Sequence, residues 1–189
     1  MNNPILQDIP ESLETERLLI RCPRLGDGAA VHEAVVETLS ELRAWGASLP
    51  WAMAEPSVDA SETFCRESYA AYMSRKDFSV LLFLKESNIF VGGSGLHVRD
   101  WAVPKMEIGY WCRKTQQGRG FITEAVRAIT SFAVSELKAR RIECHTDEEN
   151  FASRRVCECA RYQLEGIVRH DRVAPTGELR NTCSYAYIP

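Results

Sequence analysis

Between Lys105 and Thr146 the hydrophobic pattern changes period twice, and this stretch limits the fold more than any other. Lys105 to Arg113 alternates with a repeat of two. From Phe121 the repeat lengthens, with Ala125, Ile129, Phe132, Ala133 and Leu137 on one stripe, and Arg141 to Thr146 alternates again, Ile142, Cys144 and Thr146 against Glu143 and His145. These periods mark a strand, a helix and a strand. Two strands joined through a helix within one sheet run parallel, by a right-handed crossover. The handover from the first strand to the helix reads Gln117-Gly118-Arg119-Gly120. Glycine allows a tight turn there and leaves the unpaired N–H groups of the helix start open to a phosphate or pyrophosphate; the plain alternative is a turn with no ligand. No Gly-Lys-Ser or Gly-Lys-Thr follows, and the third glycine of a dinucleotide fingerprint is missing.

The remaining segments extend this unit into a mixed α/β sheet of about seven strands flanked by helices, read as one domain over residues 1–189. Thr15 to Pro23 is an opening strand with Leu18 and Ile20 on one face. Asp27 stands at an N-cap position ahead of a helical stripe that runs to about Trp45, with a break near Ser40. Ser57 to Arg75 is a second helix. Ser79 to Lys85 and Ile89 to Arg99 form a hairpin carrying Gly92, Gly93 and Gly95 in its second strand, Ser153 to Ala160 is a short helix, and Tyr162 to Val173 and Glu178 to Tyr187 are the last two strands.

Composition narrows the function classes. A chain of 189 residues with 45% apolar residues buries roughly 70% of its unfolded surface without help from a disulfide or metal. The seven cysteines (Cys22, Cys65, Cys112, Cys144, Cys157, Cys159, Cys183) are scattered, odd in number and lack Cys-x-x-Cys spacing, so they read as small core residues. A net charge of -3 without a basic stripe argues against nucleic acid as a partner and weakly favours a cationic one. Apolar runs such as Val80 to Leu84 fall far short of the roughly 20 residues that span a bilayer. Met1 to Asp8 lacks the basic and apolar regions of a secretory signal, so the expected compartment is the cytoplasm.

Four collinear segments resemble the GNAT superfamily of acyl-CoA-dependent N-acetyltransferases, and within it the RimJ/RimL-like group that acetylates the N-termini of ribosomal proteins. Glu14 to Arg21 is similar to the opening strand of that group, Glu107-Ile108-Gly109-Tyr110-Trp111 to its fourth strand, and Gln117 to Gly120 to its pyrophosphate loop. Asn150 with Ser153 is similar to its Asn-x-x-Ser segment before the last helix. The resemblance implies a GNAT-like, mostly antiparallel sheet around a strand-helix-strand CoA-binding unit, acetyl-CoA as co-substrate and no metal. It implies that Gln117, Gly118, Arg119, Gly120, Phe121, Ile122, Thr123, Asn150 and Arg154 contact the cofactor, with a backbone N–H near Trp111 or Cys112 meeting the thioester oxygen. The acceptor it implies is a protein N-terminal amine. A small-molecule amine (antibiotic, polyamine or amino acid) and a catalytically silent CoA-binding regulator are the alternatives, the protein being a monomer or homodimer.

The chain departs from the group at three places. Ile122 takes the sixth loop position in place of a small residue, Arg161 replaces a glycine after the last helix, and Cys157 stands where many relatives have a thiolate-protonating tyrosine. Cys157 thus reads as a core thiol or as a catalytic one, with Ser153 or water as the alternative acid. Aminolysis of a thioester needs a neutral amine: an α-amine is about a tenth neutral at pH 7, lysine only about 0.04%. Glu107, placed mid-strand, is the first candidate to take the proton, and its plain alternative is a surface carboxylate. His97 and His145 are its rivals. Lys114, Arg119, Arg154 and Arg155 are candidates for the CoA 3'-phosphate, and the acidic run Asp147-Glu148-Glu149 is either a solvated turn or an attractor of a cationic substrate.

Overall fold

The computed structural model describes residues 3–189; Met1 and Asn2, the start of the segment read above for a targeting signal, lie outside them. The described residues form eight strands, β1 (Ser12–Glu14), β2 (Leu18–Arg21), β3 (Asp77–Leu84), β4 (Phe90–Asp100), β5 (Lys105–Cys112), β6 (Arg141–Asp147), β7 (Gln163–Val173) and β8 (Leu179–Tyr187). The helices are α1 (Gly28–Ala44), α2 (Val58–Met73), α3 (Phe121–Ser135) and α4 (Phe151–Cys159). The strands form one sheet in the order β1-β2-β3-β4-β5-β6-β8-β7. All neighbours are antiparallel except β5 and β6, the pair joined through α3. No helix of the described residues is long and apolar enough to cross a membrane.

The eighth strand comes from the opening segment. Of residues 15–23, expected as one strand, only Leu18–Arg21 is strand, and the first three form a hairpin turn that Thr15 closes: its N–H donates to the Leu18 carbonyl at 2.9 Å and its Oγ1 accepts the Leu18 N–H at 2.9 Å. Ser12–Glu14 then pairs back on Leu19–Arg21. The first helix runs through Ser40 without a break, with Thr38 Oγ1 donating to the Ala34 carbonyl and accepting the Lys114 N–H. Asp27 does not cap α1 with its side chain. Its carboxylate is taken by Arg21 and the Arg24 N–H, while Glu62 of α2 accepts from the Gly26 and Gly28 N–H groups.

The two sheet faces bury different helices. On β3, Val80 and Leu82 join Leu96, Met106, Ile108 and Ile142 beneath the apolar stripe of α3, while Leu81 and Phe83 point the other way, against Val31, Ala34 and Leu42 of α1 and Cys65 of α2. A strand covered on both faces reads as a continuous apolar run, as Val80 to Leu84 does. Five of the seven cysteines are buried, Cys112 and Cys159 are half-buried, and all seven are free thiols.

Candidate active site

Strands β5 and β6 hold register for only three pairs, Lys105 with Arg141, Met106 with Ile142 and Glu107 with Glu143, and then diverge. Beyond Glu107 the edge of β5 facing β6 has no strand partner, so its backbone groups are open to a ligand. A cleft of about 1080 Å³ occupies this opening and runs beneath α1 and α2. Gln117, Gly118, Gly120, Phe121, Ile122 and Thr123 line it. Gly120 has φ +79°, a left-handed conformation that leads into α3 with no side-chain cap. The first-turn amides of α3 lack an intrahelical acceptor and meet the cleft. The side chain of Ile122 is buried against the core, so its bulk does not fill the loop.

Its walls also carry the aromatic side chains of Trp45, Trp51, Phe64 and Trp111. The indole of Trp111 lies over Gly93, where an added Cβ would come within 2.6 Å of its Nε1. At the root of the splay stands Glu107 with His97 across from it, and Ser153 and Tyr110 also line the cleft. Arg99 holds Glu107 Oε2 through Nη2 at 2.7 Å and Nε at 3.1 Å. His97, directly across from Glu107 on β4, bonds Asp77 through Nδ1 at 2.5 Å. The hydrogen bond to Asp77 raises the His97 pKa, with the charges of Asp77 and Glu107 adding to it against burial and Arg99.

Asn150 caps α4, its Oδ1 accepting the Ser153 N–H at 3.0 Å, and so sets the serine at the cleft. Ser153 Oγ donates to the Tyr110 hydroxyl at 3.1 Å, and that phenol also reaches the Ser153 carbonyl at 2.9 Å and Cys157 Sγ at 3.2 Å. Burial pushes the Tyr110 hydroxyl well above its ordinary pKa. The hydrogen bond to Cys157 and complete burial do the same for Cys144, and burial pushes the Cys112 thiol up to about 11.

Of the residues singled out from sequence, the fold brings Glu107, His97, His145, Trp111, Cys112, the loop residues other than Arg119, Asn150, Ser153 and Arg155 to the cleft and leaves Cys157, Arg119, Arg154, Lys114 and the acidic run away from it. Cys157 is 1% exposed and sits behind Tyr110. Arg119 stacks on Phe121 and bonds Gln116 Oε1. Arg154 turns to the Glu148 carbonyl and the Tyr185 hydroxyl, and its neighbour Arg155 lines the cleft instead. Lys114 is paired with Glu41. The acidic run is engaged by the last hairpin, Asp147 and Glu149 by Arg180 and Glu148 by Asn181. Asp77, Arg99 and Tyr110 were not anticipated, because their roles depend on cross-strand and strand-to-helix neighbours that no local spacing reports.

Comparison with known proteins agrees with this geometry. The family profile described as Acetyltransferase (GNAT) domain matches residues 17–163. The chain belongs to the GNAT family of N-acetyltransferases. The probable N-acetyltransferase YjcK of Bacillus subtilis (strain 168) is 45% identical over 62 residues, so the match spans only 33% of this chain and 34% of that one. Among solved structures, RimL, a ribosomal L7/L12 alpha-N-protein acetyltransferase in complex with coenzyme A, superposes with a TM-score of 0.84 at 20% identity over 95% of this chain and 97% of that one. The microcin C7 self-immunity acetyltransferase MccE, in complex with acetyl-CoA and AMP, does so with a TM-score of 0.83 at 18% identity, over the same shares.

Proposed function

We propose that residues 1–189 form one domain that moves an acetyl group from acetyl-CoA to a primary amine by direct attack, the acceptor being the N-terminal α-amine of a protein. The observation that carries this is the cleft at the β5–β6 splay, lined by the helix-start residues of α3 together with Glu107, His97 and Ser153. In this reading the amides of residues 118–123 hold the pyrophosphate, and a β5 backbone N–H near Trp111 or Cys112 stabilises the oxyanion that forms at the thioester carbon. Glu107 Oε1, the oxygen Arg99 leaves free, faces the incoming ammonium. The departing thiolate, with a free pKa near 8.5, needs only mild assistance. Ser153 supplies it, with Tyr110 fixing its hydroxyl.

The Tyr110 phenol beside Cys157 supports an active enzyme over a silent regulator, since a tyrosine hydroxyl stands in space where position 157 lacks one in sequence. Likeness to RimL supports a protein N-terminus as acceptor. The aromatic walls support a small-molecule amine as the second reading, and the likeness to MccE fits it. Titration calorimetry with acetyl-CoA, followed by thiol release with peptides of varied N-terminal residue and with small amines, decides between them. Turnover on peptides alone supports the first reading and turnover on small amines alone the second; binding without any turnover, or no binding, overturns acetyl transfer.

A further inference from the structure

We propose that His97 is the general base of this site and that Asp77 and Ser79 are its positioning residues. The inference rests on the acetyl-transfer reading and deepens it. Asp77 and Ser79 lie on β3 and His97 on β4, where Asp77 is the register partner of His97. Ser79 Oγ donates to Asp77 Oδ1 at 2.8 Å, and Asp77 Oδ2 meets His97 Nδ1 at 2.5 Å, so both carboxylate oxygens are occupied and the carboxylate is oriented. A neutral imidazole whose Nδ1–H is given to a carboxylate carries its lone pair on Nε2. That nitrogen overhangs β5 at Gly109, where an added Cβ would lie 3.5 Å from it. Gly109 is two residues past Glu107, the last β5 residue paired with β6, so Nε2 sits where the cleft opens. The side chain is 41% exposed and lines the cleft, which gives an amine access to it.

Glu107 has the opposite arrangement. Arg99 Nε and Nη2 both converge on one of its oxygens, Oε2. The charged groups facing the imidazole are Asp77 from β3, Glu107 from β5 and Arg99 from β4 itself, and the two carboxylates outweigh the guanidinium. In the reaction, Nε2 takes a proton from the acceptor ammonium, and the freed amine lone pair forms the C–N bond at the thioester carbon. As the C–S bond breaks, the thiolate receives a proton lost from the new C–N nitrogen, passed through Ser153, and the imidazolium returns its proton to solvent. The sum is acetyl-CoA and ammonium to amide, thiol and one proton.

The test is the pH dependence of kcat/KM for thiol release from acetyl-CoA, using whichever peptide or small amine the intact protein turns over. His97→Ala is expected to lose at least about a hundredfold, in the range usual for a general base, with unchanged acetyl-CoA binding and with recovery on adding imidazole. Asp77→Asn, which removes the contact that raises the imidazole pKa, is expected to move the acidic limb of the profile to lower pH, a change that a merely structural loss would not make. Glu107→Gln is expected to lose less than tenfold. A His97→Ala enzyme within threefold of the parent at every pH, or an unmoved limb in a folded Asp77→Asn enzyme, overturns the assignment while leaving acetyl transfer intact. Binding of acetyl-CoA without turnover of any acceptor by the parent protein overturns the transfer reading and the base with it.

Discussion

Arg161 adopts φ +68°, a left-handed conformation that costs a non-glycine residue roughly 1–2 kcal/mol. It holds this conformation because the turn after α4 is secured around it: the Tyr162 N–H donates to the Cys157 carbonyl at 2.9 Å and the Arg161 N–H to the Glu158 carbonyl at 3.0 Å. The glycine expected there by resemblance is therefore replaced in type but kept in geometry. Arg161→Gly is expected to raise stability by about 0.5–1 kcal/mol, the relief of strain being partly offset by the greater freedom of glycine in the unfolded chain. Urea unfolding checks this, and a loss of stability would mean that the arginine side chain holds the turn. At the neighbouring Cys157 the expected cost of Cys157→Ala is about 1 kcal/mol of stability, from the vacated core volume. Its kcat should be unchanged, since Tyr110 stands between this sulfur and the cleft; a large fall in kcat would return the thiol to the mechanism.

At the scale of elements, one carboxylate ties the opening hairpin to the ligand-facing end of α3. Glu124, in the first turn of α3, accepts from Thr15 Oγ1 at 2.6 Å, the Arg17 N–H at 3.0 Å and Arg17 Nε at 2.7 Å. Arg17 in turn reaches the Arg119 carbonyl and covers the Phe121 ring. The hairpin thus braces the loop that the proposed pyrophosphate site needs. Burial alone would raise the Glu124 pKa, but these hydrogen bonds outweigh it and hold the carboxyl below its ordinary value. A group with a depressed folded pKa contributes stability above its unfolded value, near 4.3, and loses that contribution as pH falls through the folded value. Glu124→Ala is expected to cost about 2 kcal/mol at pH 7, from the range for hydrogen bonds to charged groups. The difference from the parent should shrink below about pH 4; thermal unfolding at pH 7 and pH 3 tests it, and a gap that persists at pH 3 would place the loss in packing.

For the whole molecule, the decisive property is that the sheet is a sandwich between α3 on one face and α1 with α2 on the other, opened at the single parallel pair. A ligand held at that opening binds only the folded chain. With acetyl-CoA at a hundred times its Kd the gain is about 2.7 kcal/mol, which for a chain of this size raises Tm by roughly 5–10 °C. Gly120→Val places a β-branched residue at φ +79° and is expected to abolish most of that shift. Differential scanning calorimetry with and without acetyl-CoA measures both, and a full shift in the variant would remove the loop from the binding site.

Much of this architecture was legible in the sequence because its signals are local. The period change around Gly118 and Gly120 identified β5, α3 and β6 and their parallel relation, and the loop that lines the cleft. The short helix expected at Ser153 to Ala160 became α4, which begins two residues earlier because Asn150 caps it at Ser153 N–H. The hairpin turn at Thr15 was hidden because Glu14 to Arg17 lack the glycine, proline or asparagine that marks a turn. The site chemistry was less legible, since which oxygen of Glu107 is free, which carboxylate aligns His97, and which phenol stands beside Cys157 all depend on side chains brought together across strands. The sequence by itself determined the order and kind of the elements, through periodicity and turn chemistry that act over a few residues. Only the tertiary structure decided which polar groups are committed and which remain open at the cleft, because hydrogen-bond satisfaction inside a folded chain is settled by neighbours distant in sequence.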